Sequence, residues 1–158
     1  MNNKHYIFLD IDGVLNNRQY TKLKCTQSDK KLSIREVFDP SSIKLMNKII
    51  EEYNPYIVIS STWRYQGIEK VQDTLANVGF EGIIRSKTPF ISDAPRGWEI
   101  RKWISDHEYY DKGNVESYVI IDDDSDMMYN QRYNFVQTKF DVGFQEESYE
   151  QTIKILSK

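Results

Sequence analysis

The feature that most constrains this chain is an apolar run near its start that stops on two aspartates separated by one residue. Residues 5–16 read HYIFLDIDGVLN, in which β-forming side chains lead directly to Gly13. This pattern predicts a buried strand that ends in a sharp turn. Asp10 and Asp12 then lie at the carboxyl end of the strand, which is where open α/β sheets bind ligands.

Two carboxylates this close repel one another unless a cation or a proton is shared between them. A ligand set made only of oxygen atoms suits Mg²⁺, which usually takes one or two carboxylates, waters and substrate phosphate oxygens. Asp10 and Asp12 therefore predict a Mg²⁺ site. The alternative is that both are turn residues before Gly13, since Asp and Gly favour turns.

Length and composition bound the architecture. A chain of 158 residues, 39% hydrophobic and 28% charged, fits one domain, 1–158, that buries about two-thirds of its unfolded surface. No secretion leader is recognisable, and no apolar run approaches the roughly 18 residues of a membrane span. Cys25 is the single cysteine, which excludes an intrachain disulfide. We expect a cytoplasmic protein without a membrane partner.

Charge is distributed unevenly along the chain. The net charge of −3 gives no general attraction to nucleic acid. Residues 16–38 nevertheless carry +4, which leaves −7 for the remainder. The six cations of this segment are Arg18, Lys22, Lys24, Lys30, Lys31 and Arg35. The segment shows no clear periodicity, so we predict a small basic insertion or flap, extended or a hairpin, beside the end of the first strand.

Strands and helices alternate along the rest of the chain. Apolar runs predict strands at residues 56–59, 82–85, 118–121 and 134–138, and helical spacing predicts helices at 39–54, 66–77, 96–108 and 148–156. Such alternation indicates a parallel sheet with helices on both faces. The carboxyl ends of parallel strands meet at one edge, so we predict that Asp10, Asp12, Ser60 and Asp122 face one crevice.

Three strand ends also resemble the motifs of the haloacid dehalogenase (HAD) superfamily. FLDIDGVLN matches the pattern hhhDxDx(T/V)L, IVISS the second motif and VIIDDDSD the terminal acidic motif. The stretches SSTWR, RGWEIRKWI, IDDDSDM and FVQTKFDVGF resemble more narrowly the HAD domain of Swiss Army Knife RNA repair proteins and related phage and bacterial hydrolases. The resemblance implies a three-layer Rossmann-like fold. The short stretch between Arg64 and Arg96 leaves room for a minimal cap domain or none.

The resemblance also implies roles for the acidic residues. Asp10 would be the nucleophile that attacks phosphorus, and Asp12 the general acid and then the general base. Mg²⁺ would be held by Asp10, by the backbone carbonyl of Asp12, and by Asp122 or Asp123. Asp122 ends its strand, so it is the first choice as direct ligand and Asp123 the second.

The hydroxyl of the second motif, which binds the transferring phosphoryl oxygen, is assigned to Ser60. Ser60 is the first polar residue after the apolar run, and Ser61 is the alternative. Either hydroxyl could instead cap the helical segment that follows, a common use of serine.

The third motif normally supplies a lysine, and here the sequence departs from the pattern. Arg96 is the expected cation by position, with Lys87 and Lys102 as rivals, and Lys87 is also a candidate for substrate binding. Arginine suits bidentate contact with phosphate, although a solvated cation at a helix start is the alternative. Arg64 is a further candidate for binding the substrate phosphate.

Together these features predict a Mg²⁺-dependent phosphomonoesterase that forms an aspartyl-phosphate. The basic segment and the resemblance point to the terminal phosphate of a nucleic acid or nucleotide as its substrate. The alternatives are a phosphatase of small nucleotides or sugars, transfer of the phosphoryl group to an acceptor other than water, and a non-catalytic Mg²⁺ and phosphate-binding module. Asp12 argues against the last of these, because a binding pocket needs no acid two residues after the nucleophile.

Overall fold

A five-stranded parallel sheet forms the centre of the protein. The computed structural model describes residues 4–111 and 114–158. The strands are β1 (His5–Leu9), β2 (Tyr56–Ile59), β3 (Ile84–Lys87), β4 (Ser117–Asp122) and β5 (Phe135–Gln137), in the order β3-β2-β1-β4-β5. The helices are α1 (Arg18–Thr26), α2 (Pro40–Tyr53), α3 (Ile68–Ala76), α4 (Arg96–Asp111) and α5 (Glu146–Leu156). The described residues also form two 3₁₀ helices, Thr62–Gln66 and Tyr129–Asn134.

Helices cover both faces of the sheet, and β1 shows why. Its residues from Tyr6 to Leu9 are buried, as expected for a central parallel strand. Ile7 and Leu9 pack in one apolar cluster with residues of α2, α3 and α5, whereas Tyr6 and Phe8 pack in a second with residues of α4. The predicted α/β class, with three layers and a parallel sheet, is confirmed. Within the described residues, the chain between β2 and α4 forms no cap domain.

Local sequence signals fix the ends of α2 as predicted. Asp39 is the N-cap and its side chain accepts a hydrogen bond from the Ser41 N–H at 2.9 Å. Pro40 occupies the first turn, where its missing N–H costs nothing. Asn54 ends the helix in the left-handed conformation, with φ of 42°, a position that asparagine tolerates better than most residues.

The basic segment differs from the prediction, because residues Arg18–Thr26 form α1 instead of an extended chain or hairpin. The Asn17 side chain caps this helix by accepting from the Tyr20 N–H at 2.8 Å. None of the residues of α1 is buried, so the helix has no apolar face to produce a periodic signal. Asn16 and Phe38 pair as an antiparallel bridge and close the base of the segment.

Two other boundaries moved by a few residues. The predicted strand at 82–85 is β3, Ile84–Lys87, and the predicted helix at 66–77 is the Thr62–Gln66 3₁₀ helix followed by α3. Among the helices of the described residues, none has both the length and the apolar character that crossing a bilayer requires.

Candidate active site

The three central strands end side by side, and their last polar residues meet there. The Asp10 N–H donates to the Ile121 carbonyl and the Ser60 N–H to the Leu9 carbonyl, each at 3.0 Å. These bonds continue the pairing of β1 with β4 and β2. As a result, the ends of β2, β1 and β4 place Ser60, Asp10 and Asp122 along one edge of the sheet.

Three carboxylates converge at this edge. Asp10, Asp122 and Asp123 each offer an oxygen, and these oxygens all lie within 4.8 Å of one another. Gly13 makes the approach of Asp123 possible: its φ is 72°, and a Cβ at this position would lie 2.6 Å from the Asp123 carboxyl carbon. The Thr138 hydroxyl donates to the Gly13 carbonyl at 2.7 Å and braces the turn. A larger residue at position 13 would therefore separate Asp123 from the cluster.

Burial makes the negative charge of this cluster costly. Burial and the Asp10 charge raise the pKa of Asp122 to about 8. Burial also raises the pKa of Asp10, against the opposing effect of Arg96, and burial followed by the Asp10 charge raises that of Asp123. Such shifts follow when carboxylates leave water together.

The cluster fits a divalent cation. When the three carboxylates of Asp10, Asp122 and Asp123 are ionised beside the Arg96 guanidinium, two negative charges remain uncompensated. Asp122 Oδ2 is fully buried and has no hydrogen-bond partner in the described part of the chain, and the Arg96 guanidinium that lies 3.5 Å from it is shared with Asp10, so a further cation would lower the cost of its burial. An all-oxygen donor set of this charge suits Mg²⁺. The residues present can therefore hold the metal.

Arg96 is the cation that the structure brings to the carboxylates. It is the first residue of α4, and its Nη1 lies 3.4 Å from Asp10 Oδ1 and 3.5 Å from Asp122 Oδ2. The same nitrogen donates to the Ser60 carbonyl. Burial acts to lower the pKa of Arg96, but the charges of Asp122 and Asp10 outweigh it and raise this pKa above its usual value. The guanidinium is therefore held charged beside both acids.

The two rival lysines are engaged elsewhere. Lys102 donates to both carboxylate oxygens of Asp106, at 2.5 and 2.6 Å, on the exposed side of α4. Lys87 is exposed, and its Nζ donates to the Arg64 carbonyl at 3.2 Å. Substrate binding by Lys87 stays a prediction.

Both side-chain oxygens of Asp12 are held by neighbouring residues. Asn16 Nδ2 donates to Oδ1 at 2.7 Å and Trp63 Nε1 donates to Oδ2 at 2.9 Å. Trp63 is itself buried and meets the Phe38 ring edge to face. Metal contact by the Asp12 backbone carbonyl stays a prediction.

Sequence reasoning missed Asn16 and Trp63. Asn16, four residues after Asp12, could have been found as a local turn contact, but no local pattern reveals a partner 51 positions away.

The two serines after β2 occupy different environments. Ser61 is the N-cap of the following 3₁₀ helix, where its Oγ accepts from the Trp63 N–H at 3.3 Å, and it also hydrogen-bonds the Asp10 carboxylate. Ser60 is fully buried, and within the described residues its Oγ has no hydrogen-bond partner. The capping alternative thus applies to Ser61, and the phosphoryl contact of Ser60 stays a prediction.

Arg64 lies inside the protein, not at the mouth of the site. It is 4% exposed, and its Nη2 lies 2.6 Å from Glu99 Oε2. Its Nη1 donates to the carbonyls of Ser60 and Ser61, at 2.5 and 3.0 Å. The predicted contact with substrate has no support from this position. The geometry instead assigns Arg64 to bracing the loop after β2, because its charged partner Glu99 and the carbonyls of Ser60 and Ser61 all belong to buried residues.

Arg64→Met should lower the free energy of unfolding by about 3–5 kcal/mol, because it leaves Glu99 buried without its partner. For a chain of this size that corresponds to a loss of roughly 10 °C in melting temperature. The matched control is Lys102→Met, which breaks the exposed pair with Asp106 and should cost under about 1 kcal/mol. Thermal unfolding followed by circular dichroism measures both. If Arg64→Met raised KM and left the melting temperature unchanged, the bracing role would be contradicted and contact of Arg64 with the substrate would be favoured.

Comparison with protein families agrees with the geometry. The family model described as the HAD domain in Swiss Army Knife RNA repair proteins matches residues 6–149. This chain belongs to that family. The resemblance predicted from the motifs is confirmed, and membership supports a hydrolase of the HAD type, a class that generally uses Mg²⁺. Comparison with curated proteins and with solved structures gave no match.

Proposed function

We propose that this HAD domain is a Mg²⁺-dependent phosphomonoesterase that acts through an aspartyl-phosphate on Asp10. The observation that carries the proposal is the pairing of a buried Asp10 beside Arg96 with a second acid, Asp12, whose carboxylate is fixed by two hydrogen bonds. A site that only bound phosphate would need the cation and not the fixed second acid.

The chemistry divides into two displacements. In the first, an Asp10 oxygen forms a bond to phosphorus while the bond from phosphorus to the leaving oxygen breaks, and Asp12 gives that oxygen a proton. In the second, Asp12 takes a proton from water, the water oxygen attacks phosphorus, and inorganic phosphate leaves Asp10. Hydrogen bonds from Asn16 and Trp63 keep Asp12 oriented through both steps.

The surrounding groups stabilise the charge on the phosphoryl group. Arg96, held between Asp10 and Asp122, can contact a phosphoryl oxygen, and the Ser60 hydroxyl is the proposed second donor. Asp10, Asp122 and Asp123 would hold Mg²⁺, which screens the anionic nucleophile from the anionic phosphate. Asp12 would contribute its backbone carbonyl to the same ion.

Release of phosphate from p-nitrophenyl phosphate tests the activity. Turnover should require Mg²⁺ and stop on chelation, and electrospray mass spectrometry of acid-quenched protein should find the phosphoryl group on the peptide that contains Asp10. No release with Mg²⁺, combined with measurable Mg²⁺ binding, would instead favour the non-catalytic binding module.

The substrate that we propose is a nucleic acid with a terminal phosphate. The family model describes domains of RNA repair proteins, and the +4 segment, residues 16–38, begins at the site itself. Asn16 binds Asp12, and α1 starts two residues later. Five of the six cations of the segment are exposed, so they can contact further phosphates of a strand. A phosphatase of small nucleotides or sugars remains the alternative.

An oligonucleotide with a terminal phosphate should exceed the matching mononucleotide in kcat/KM, and this advantage should fall steeply with salt, because binding releases counterions. Replacing Lys22, Lys24, Lys30 and Lys31 by Ser should bring the ratio of the two kcat/KM values, oligonucleotide to mononucleotide, close to one. The matched control replaces Lys44, Lys48, Lys70 and Lys154, exposed lysines of α2, α3 and α5, and should preserve the ratio. Equal efficiency on both substrates in wild type would favour the small-molecule phosphatase.

The proposed setting is a reducing cytoplasm, in which one exposed cysteine, Cys25, is unremarkable. We also propose that residues 1–158 act as one domain, with residues 16–38 as its basic flap.

A further inference from the structure

Two exposed aromatic rings lie at the same edge of the sheet as the carboxylates. Tyr65 belongs to the 3₁₀ helix after β2 and is 58% exposed, and Phe90 belongs to the loop after β3 and is 65% exposed. Their ring centroids are 5.7 Å apart with an interplanar angle of 78°. Apolar side chains that are exposed together, rather than singly, can mark a binding surface.

One buried carboxylate, that of Glu99, binds the residues next to both rings. Glu99, in the first turn of α4, accepts from Arg64 Nη2 at 2.6 Å and from the Ile91 N–H at 3.1 Å. These two donors are the chain neighbours of Tyr65 and Phe90. The Arg64 guanidinium also lies 5.0 Å from the centroid of the Tyr65 ring. Both rings are therefore exposed while the residues next to them are held by Glu99, which lowers the entropic cost of using the rings for binding.

The distance from Asp10 suits a group attached to the reacting phosphate. Asp10 follows β1, Tyr65 follows β2 and Phe90 follows β3, and these three strands are neighbours in that order. Strands lie about 4.8 Å apart, so the end of β3 is roughly 10 Å from the end of β1. The Thr88 N–H donates to the Ile59 carbonyl at 3.0 Å, which keeps the start of the Phe90 loop level with the end of β2.

We propose that Tyr65 and Phe90 form a stacking site for the base of the nucleotide that carries the terminal phosphate. This inference rests on the proposed phosphatase function and specifies the substrate of the same site. Aromatic side chains bind the bases of single strands by stacking, with little dependence on sequence. The basic segment at the same edge makes a nucleic acid strand a better match than a phosphotyrosine peptide, the other source of a ring beside a phosphate.

Two other groups of exposed aromatic residues, one at the end of α4 and one before β5, lie farther from the site. Tyr109 and Tyr110 form a similar edge-to-face pair, with centroids 4.9 Å apart, in the last turn of α4. At 1.5 Å per residue that turn is about 20 Å from Arg96. Tyr133 belongs to the 3₁₀ helix that ends at Asn134. The Asn134 Nδ2 donates to the Tyr118 carbonyl, near the start of β4, so Tyr133 lies toward the opposite edge of the sheet.

The test compares two single-stranded oligonucleotides that differ only in the terminal phosphorylated nucleotide, which carries its base in one and is abasic in the other. All phosphates are the same, so the basic segment contributes equally to both. Wild type should show a KM about ten- to a hundredfold lower for the base-bearing end, a range typical of base stacking. Tyr65→Ala combined with Phe90→Ala should bring the ratio of the two KM values near one.

Three variants and a binding measurement keep the test decisive. Tyr109→Ala with Tyr110→Ala should preserve the wild-type ratio, as should the ring-keeping variants Tyr65→Phe and Phe90→Tyr. Affinities of both oligonucleotides for the Asp10→Asn protein provide the same comparison without turnover. A wild-type ratio near one, with phosphate released from both ends, would overturn the stacking site and leave the phosphatase intact.

Two further outcomes would also contradict the proposed stacking site. Failure to release phosphate from either end would refute the proposed function, and equal affinities of the Asp10→Asn protein for the two ends would then remove the stacking site as well. A phosphotyrosine peptide could instead show a higher kcat/KM than the base-bearing oligonucleotide. If it loses that advantage when Tyr65 and Phe90 are both replaced by Ala, the rings bind a peptide and not a base.

Discussion

Asp10→Asn should lower the kcat/KM of Mg²⁺-dependent phosphate release by about three orders of magnitude or more, while the protein stays folded. The substitution keeps the shape of the side chain but removes the charge and nucleophilicity on which covalent catalysis depends. The fold should tolerate it, because burial already raises the pKa of Asp10 and makes its charge costly. Steady-state kinetics and thermal unfolding of the same preparation measure the two effects.

The matched control is Asp124→Asn, which removes the same charge two residues from Asp122. Asp124 is exposed, and its carboxylate accepts a hydrogen bond from the Ser125 N–H at 2.8 Å. We expect this variant to retain kcat/KM within about threefold, since surface substitutions usually have small effects. Turnover of Asp10→Asn within tenfold of wild type would refute the assignment of the nucleophile, because losing a covalent nucleophile costs far more.

The sequence predicted the part of the site that depends on strand order. A continuous apolar run marks a buried strand, and the polar residues after it mark the end of that strand, so Asp10, Ser60 and Asp122 could be placed at one edge without coordinates. Arg96 could be placed only by its position relative to the motifs. The structure then gave the reason for the choice, since Arg96 begins the helix that follows β3 and contacts both Asp10 and Asp122.

The rest of the site depends on contacts between residues far apart in the chain. Trp63 reaches Asp12 across 51 positions and Arg64 reaches Glu99 across 35, and no periodicity or spacing encodes such pairs. Arg64 was predicted as a candidate for binding the substrate phosphate, whereas in the fold it is 4% exposed, and cations are almost never buried unless they are paired. Its burial requires Glu99, whose position on α4 became visible only in the fold. The same limit applies to α1, which lacks the buried face that makes a helix recognisable.

Mg²⁺ should stabilise this protein far more at pH 8.5 than at pH 6. Burial and the Asp10 charge raise the pKa of Asp122 to about 8 from an ordinary value of 3.8. The folded, metal-free protein therefore keeps a proton that the unfolded chain releases, so its stability falls as the pH rises from about 4 through about 8. Mg²⁺ must displace that proton. At pH 6, two units below this pKa, its apparent affinity should be about a hundredfold weaker than when Asp122 is ionised.

Asp122→Asn should separate these two effects. The neutral amide removes the buried charge, so the metal-free variant should lose less stability than wild type between pH 6 and pH 8.5. It also removes a metal ligand, so its Mg²⁺ titration at pH 8.5 should shift by about a hundredfold or more, at least as much as the loss of a residue that merely orients a ligand. Melting temperatures across a grid of pH and Mg²⁺ concentration measure both, with Asp124→Asn expected to follow wild type. If the Mg²⁺ titration curves of Asp122→Asn and wild type coincide, Asp122 is not a ligand, because a buried carboxylate that binds the ion cannot lose its charge without weakening that binding.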